Sequence, residues 1–250
     1  MAEHKFPTEV IDLPSLGKLY PKDSPLAKGK LELKYMTTRE EDILMSENLI
    51  KKGVVIDKLL DSLIVTEGVK QADLILGDKN AVLVAARILA YGPEYTTEIT
   101  NPNDVSQKVQ HTFDLSQCPF KEISDEIKHD GNCFEFKTPI GKNNIKFKIL
   151  TGADEEMVIK DLTQSKKYGY ESSVSTRLRY SVIEVDGDNK KETINSFTQN
   201  MLARDSVSLR NYMSEISPDI DLTSEIEIGG ETVSVSIPLT VEFFWPSSIK

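Results

Sequence analysis

Residues 31–95 constrain the chain more than any other stretch, because they change hydrophobic period and carry almost no reactive chemistry. Their opening, LELKYM at 31–36, alternates apolar and polar side chains as a strand with one buried face does. Thr38, with Glu41 three residues on, matches a capping box and predicts that the chain turns helical there. Gly53 interrupts that helix. Beyond it Val55, Ile56, Leu59, Leu60, Leu63 and Ile64 recur at helical spacing and form a wide apolar face that must be covered. Residues 79–91 are apolar on nearly all sides apart from Arg87, with Asp78 as the expected N-cap and Gly92-Pro93 as the stop. This segment is predicted to be the central buried helix. The run contains no nucleophile beside a base, no metal-ligand pair and no phosphate-cradling glycine loop, so it reads as a scaffold for contact with other proteins.

The flanking sequence is punctuated differently. Pro7, Pro14, Pro21 and Pro25, with Gly17 and Gly29, forbid a long helix before residue 30 and favour an extended, turning arm that docks on something. After the central helix the pattern shifts to strands at 95–100, 108–115, 133–139 and 144–150. Asn101-Pro102-Asn103-Asp104 and Gly141-Lys142-Asn143 supply turns between them. Helical pattern returns at 153–162, where Asp154, Glu155 and Glu156 suit the positive end of a helix. RLRYSVIEVDG at 177–187 ends in an Asp186-Gly187 turn, and helical segments at 194–202 and 207–216 stop at Pro218. SEIEI and ETVSVSIPLTVEFF form a last hairpin about Gly229-Gly230, ending on Phe243, Phe244 and Trp245.

This order predicts an α+β fold of helical modules alternating with antiparallel β-hairpins, preceded by an extended proline-rich N-terminal arm. The expected modules are 1–30 (arm), 31–94 (strand plus helices), 95–150 (β-hairpins), 151–219 (mainly helical) and 220–250 (C-terminal hairpin). EITNPNDVSQKVQHTFDL and EIEIGGETVSVSIPL read as counterpart hairpins of two halves.

Bulk properties remove several classes of function. A chain of 250 residues with 39% hydrophobic content can bury a real core, and its formal charge of −10 argues against a general nucleic-acid or anionic-membrane binder. No apolar stretch is long enough to cross a bilayer, and MAEHKFPTEV lacks the pattern of a signal peptide, so a cytoplasmic setting is expected. Cys118 and Cys133 are expected to be free thiols.

Four groups of residues have a chemical reading and a plainer one. His111, Cys118, His129 and Cys133 lack the short paired spacing of a tetrahedral zinc site, which favours strand and loop positions for them. SKKYGYESSVSTRLRY sets Lys166, Lys167, Arg177 and Arg179 among Tyr168, Tyr170 and Tyr180, a mixture that suits base stacking but, in an acidic chain, better suits a loop or protein-docking surface. Asp186, Asp188 and Glu192 lack the glycine and later glutamate of a calcium loop. Asp154, Glu155 and Glu156, as neighbours in one helical turn, do not converge on a cleft, and three histidines leave little material for base catalysis. No catalytic, cofactor-binding or metal-binding residue is therefore assigned.

The arm IDLPSLGKLYPKDSPL, the block over residues 31–64, the helix LGDKNAVLVAARILAYGPEY, the strand HTFDL, the FKILTGADE junction and the closing IPLTVEFFWP together span nearly the whole chain. In these stretches the sequence resembles the baseplate hub assembly and hub subunit proteins of T4-like tailed bacteriophages. The resemblance implies a non-enzymatic protein that binds hub subunits during tail assembly, in the manner of an assembly factor or chaperone. The alternative is a permanent structural subunit of the hub. It further implies phage baseplate hub proteins as partners, self-association as an option, no nucleic acid or membrane, and a location in the host cytoplasm or the tail baseplate of the virion. Leu13, Pro14, Leu16 and Tyr20 of the arm, with Phe243, Phe244 and Trp245, are the expected contact residues, core packing being the alternative for the aromatics. Some relatives are expected to carry C-x-x-C pairs where this chain has EITNPND and EIEIGGE, so any metal-stapled hairpin is replaced here by plain turns.

Overall fold

The computed structural model describes residues 6–167, 169 and 172–245. The arm is not free. Its residues form β1 (Thr8–Asp12), which pairs antiparallel with β2 (Lys30–Lys34), Val10 lying opposite Glu32. Between the strands the chain doubles back through Gly17, whose φ of 77° and close approach admit no side chain: a Cβ there would sit 2.4 Å from the Ala27 carbonyl oxygen. The prolines leave no long helix here, as the sequence suggests, but they shape turns, one of them the short 3-10 helix Pro25–Lys28, folded onto the body of the protein.

Four helices follow: α1 (Thr38–Leu44), α2 (Glu47–Lys52), α3 (Val55–Leu63) and α4 (Leu76–Tyr91). The capping box sits one residue earlier than expected. Thr37 is the cap, and Glu40 rather than Glu41 reaches back to the Thr37 N–H at 2.9 Å, because Glu40 also takes hydrogen bonds from Lys34 and Ser62 in the interior. Gly53 closes α2 in the left-handed conformation, and α3 buries Val55, Leu59, Leu60 and Leu63, with Ile64 bridging to Leu33 of β2. Helix α4 starts before Asp78, which is therefore not its N-cap. An antiparallel bridge of Ile75 to Thr151, and a Leu76 N–H bond to the Leu150 carbonyl, fix the start of α4 from outside.

The rest of the chain builds small antiparallel sheets around this helix. β3 (Glu94–Thr100) pairs with β4 (Lys108–Asp114). Then come β5 (Phe120–Lys121), β6 (Phe134–Lys137), β7 (Asn144–Phe147), α5 (Gly152–Lys167), α6 (Ser173–Ser181) and β8 (Val182–Val185). The chain continues through α7 (Lys191–Asn200), α8 (Ala203–Ile216), β9 (Asp219–Ile220), β10 (Thr223–Ile228) and β11 (Glu231–Ser236). β6, β7 and β8 form a three-stranded antiparallel sheet, β5 pairs with β9, and β10 pairs with β11. The architecture is thus α+β, as the order of patterns predicts. Residues 177–181 are the end of helix α6, and one local expectation is corrected: the last hairpin arm ends before Pro238, after which Val241–Phe244 form a 3-10 turn.

The two hairpins β3–β4 and β10–β11 meet at their tips. Gly229 leaves room for the Gln107 side chain, whose Oε1 would lie 2.1 Å from a Cβ at that position. Buried side chains from the arm, α3, α4, the sheets, α8 and the C-terminal turn form one hydrophobic cluster.

Candidate interaction surface

Helix α4 fastens both ends of the described chain. At its first turn the buried Asp78 carboxylate accepts hydrogen bonds from the Ser15 N–H at 2.9 Å, the Ser15 hydroxyl at 2.6 Å and the Tyr20 hydroxyl at 2.6 Å. The Tyr20 oxygen in turn accepts from the Ile75 N–H at 3.0 Å. Burial pushes the Asp78 pKa up, opposed by the donors from Ser15 and Tyr20; burial, then the neighbouring Asp78, pushes the Tyr20 phenol up. Leu13, Pro14 and Tyr20, three of the expected contact residues, accordingly lie in the interior, while Leu16 is 41% exposed at the turn beside them.

One helical turn from the other end of α4, Arg87 performs the matching task. Its Nε donates to the Phe243 carbonyl at 3.1 Å and its Nη1 to the Gly92 carbonyl at 3.3 Å, and its guanidinium lies over the Tyr91 ring at 4.9 Å. Phe243 packs edge-on against Tyr95 with 5.0 Å between ring centroids, and against Phe244 at 5.5 Å. Phe243 and Phe244 are core residues, whereas Trp245 is 38% exposed. Of the seven expected contact residues the structure thus leaves Leu16 and Trp245 at the surface, and it does not bring the two together through any recorded contact. Arg87 was visible in the sequence as a lone cation on an apolar helix, but its partner, the Phe243 backbone, was not.

The remaining polar candidates serve local structure. His111 packs on Phe113 at 4.6 Å and His129 on Phe134 at 5.5 Å, Cys118 and Cys133 are free, and no group of three or more metal-ligating side chains occurs among the described residues. Asp186 accepts from the Asn143 side chain and the Asn144 N–H, which holds its carboxyl below the usual range, and Asp188 accepts from the Lys190 N–H at the start of α7. Asp154 accepts from the Thr151 N–H and the Lys148 ammonium at the start of α5. Arg177 forms a bidentate pair with Glu155, and Arg179 with Tyr180 converges on Asp161, which joins α6 to α5. Tyr168 and Tyr170 lie outside the described residues.

One surface feature was missed in the sequence. The buried Asp205 carboxylate, in the first turn of α8, accepts from the N–H groups of Ile140 and Gly141 at 2.8 Å each, pinning the β6–β7 loop. Ile140 is thereby held outward near the start of α8, where Leu202 just before the helix and Val207 within it are also exposed. The loop reads as an ordinary hairpin turn in the sequence, because its clamp is 65 residues away. Apolar side chains presented by a braced loop are suited to contact, and they offer no acid, base or nucleophile for a reaction.

Residues 7–245 match the family model described as T4 bacteriophage base plate protein. No curated protein and no solved structure is similar enough to count as a match. A family match over almost the whole chain agrees with the baseplate part of the resemblance read from the sequence: the protein belongs to the T4 bacteriophage base plate protein family.

Proposed function

We propose that this baseplate-family protein is a non-enzymatic factor that binds hub subunits while the phage tail is being assembled. The observation that carries the reading is the family match over residues 7–245. Its surface chemistry is consistent with that role, since the titratable groups described above cap helices, brace turns and join elements. The proposed contacts are the exposed members of the two chain ends, Leu16 and Trp245, with the buried Leu13, Pro14, Tyr20, Phe243 and Phe244 as the packing that holds them in place. The protein would act in the host cytoplasm, where tails are built, and neither nucleic acid nor membrane is a proposed partner. Among the described residues no helix is long and apolar enough to cross a membrane.

The second reading, a permanent hub subunit of the virion, rests on the same family match and calls for a broader, more apolar interface. Quantitative mass spectrometry of this chain in purified mature particles and in hub intermediates from infected cells separates the two. Presence in intermediates alone supports the assembly factor. Fixed stoichiometry in both supports the structural subunit, and absence from both rejects a role at the hub.

A further inference from the structure

We propose that two copies of this chain associate through the outer edge of β1, antiparallel and centred on Val10. The observation is an open strand edge. Leu13 N–H donates to the Gly29 carbonyl at 2.9 Å and Tyr35 N–H donates to the Pro7 carbonyl at 3.1 Å, so the backbone groups of the odd-numbered residues face β2. Strand alternation then turns the N–H and C=O groups of Thr8, Val10 and Asp12 away from β2. Among the described residues none of these groups has a backbone partner, and the sheet ends at β1. The far edge of β2 is occupied, since Glu32 accepts from the Val65 N–H and donates its own N–H to the Thr66 hydroxyl. Only the β1 side of this ribbon can grow.

The sequence of β1 fits a second copy of itself. With Val10 opposite Val10, Thr8 faces Asp12 and Glu9 faces Ile11 of the other copy, so every free group on the edge finds a partner and no like charges are directly opposed. Sliding the register one step one way sets Glu9 against Glu9. Sliding it the other way sets Thr8 against Pro14, which has no N–H to give. Phe6 and Val10, 48% and 57% exposed, lie on the same face of the ribbon, and self-pairing brings the two sets together. A five-residue strand gives a small interface, so the dimer is weak and concentration-dependent. This pairing is independent of the hub reading, and its failure would leave that reading untouched.

Sedimentation equilibrium of the full chain over a range of concentrations tests it, with Val10→Pro and Val10→Lys as variants. Val10→Pro removes an edge N–H from each copy without touching a bond to β2, and raises the dimer Kd roughly tenfold or more. Val10→Lys keeps the N–H but sets two ammonium groups face to face, so its dimer is weakened and partly restored by added salt. Circular dichroism should show both variants folded. A native chain that stays monomeric at every concentration overturns the proposal and leaves the edge to a strand of another protein. Variants that associate as tightly as the native chain overturn it equally.

Discussion

Asp78 concentrates the cost of folding the arm into one side chain. Replacing it with Ala strips acceptors from Ser15 and Tyr20 in the interior, and should lower stability by about 3 kcal/mol in urea denaturation. Glu40 provides a pH-dependent counterpart. Burial alone would raise its pKa, but hydrogen bonds from Lys34, Ser62 and Thr37 outweigh that and hold it at about 2, against an ordinary value of 4.5. A depressed carboxyl contributes stability that is complete above the unfolded-state pKa and is lost as pH falls toward about 2, on the order of 3 kcal/mol in all. The Glu40→Gln variant should therefore be less stable at neutral pH and show a flatter loss of stability between pH ~5 and pH ~2.5 when unfolding is followed across that window. The sequence set Arg87 apart as a lone cation and made Asp78 an N-cap, which the start of α4 at Leu76 overturns, and it named the partner of neither. Ser15 stands 63 residues from Asp78 and Phe243 stands 156 residues from Arg87, and no local pattern records such pairings.

At the scale of elements, Gly77 and Pro218 show where propensity loses to packing. Alanine at position 77 would favour helix α4 by about 1 kcal/mol on intrinsic grounds. Its Cβ, however, would stand 1.8 Å from the Pro218 carbonyl oxygen, where α4 lies against the start of β9. Gly77→Ala should thus lower stability by at least about 2 kcal/mol in thermal denaturation, despite the better helix former. Most elements were legible because their periods are regular: the α3 face, the α4 run and the strands of both main hairpins lie where alternation or helical spacing puts them. The pieces left unassigned or misread are those where the period changes within a few residues. Leu178 and Ser181 are buried on helix α6, and the strand begins only at Val182, so one apolar run serves two geometries. Phe243 and Phe244 are adjacent and both buried, which a strand's alternation forbids and a 3-10 turn allows.

For the whole molecule, the arm and the C-terminal turn are structural before they are anything else. Deleting residues 6–29 should cost the fold, and with it the proposed binding of hub subunits, visible as loss of a cooperative thermal transition, because Leu13, Ser15 and Tyr20 are part of the core. Leu16→Asp combined with Trp245→Ala is the cleaner probe: both sites are at the surface, so the melting temperature should stay within a few degrees while binding to hub subunits in a pull-down with defined components falls roughly tenfold or more. The open arm predicted from proline spacing was legible as irregular chain, but its docking partner is this chain's own helix. Because α4 holds Ser15 at one end and the Phe243 carbonyl at the other, the protein has an order of completion during synthesis. The arm leaves the ribosome before α4 and waits for it. The Arg87 clasp then stays open until Phe243 has emerged, so a chain stopped short of that residue leaves bare the face of Tyr95 that Phe243 covers, and only a copy translated past it presents a closed surface there.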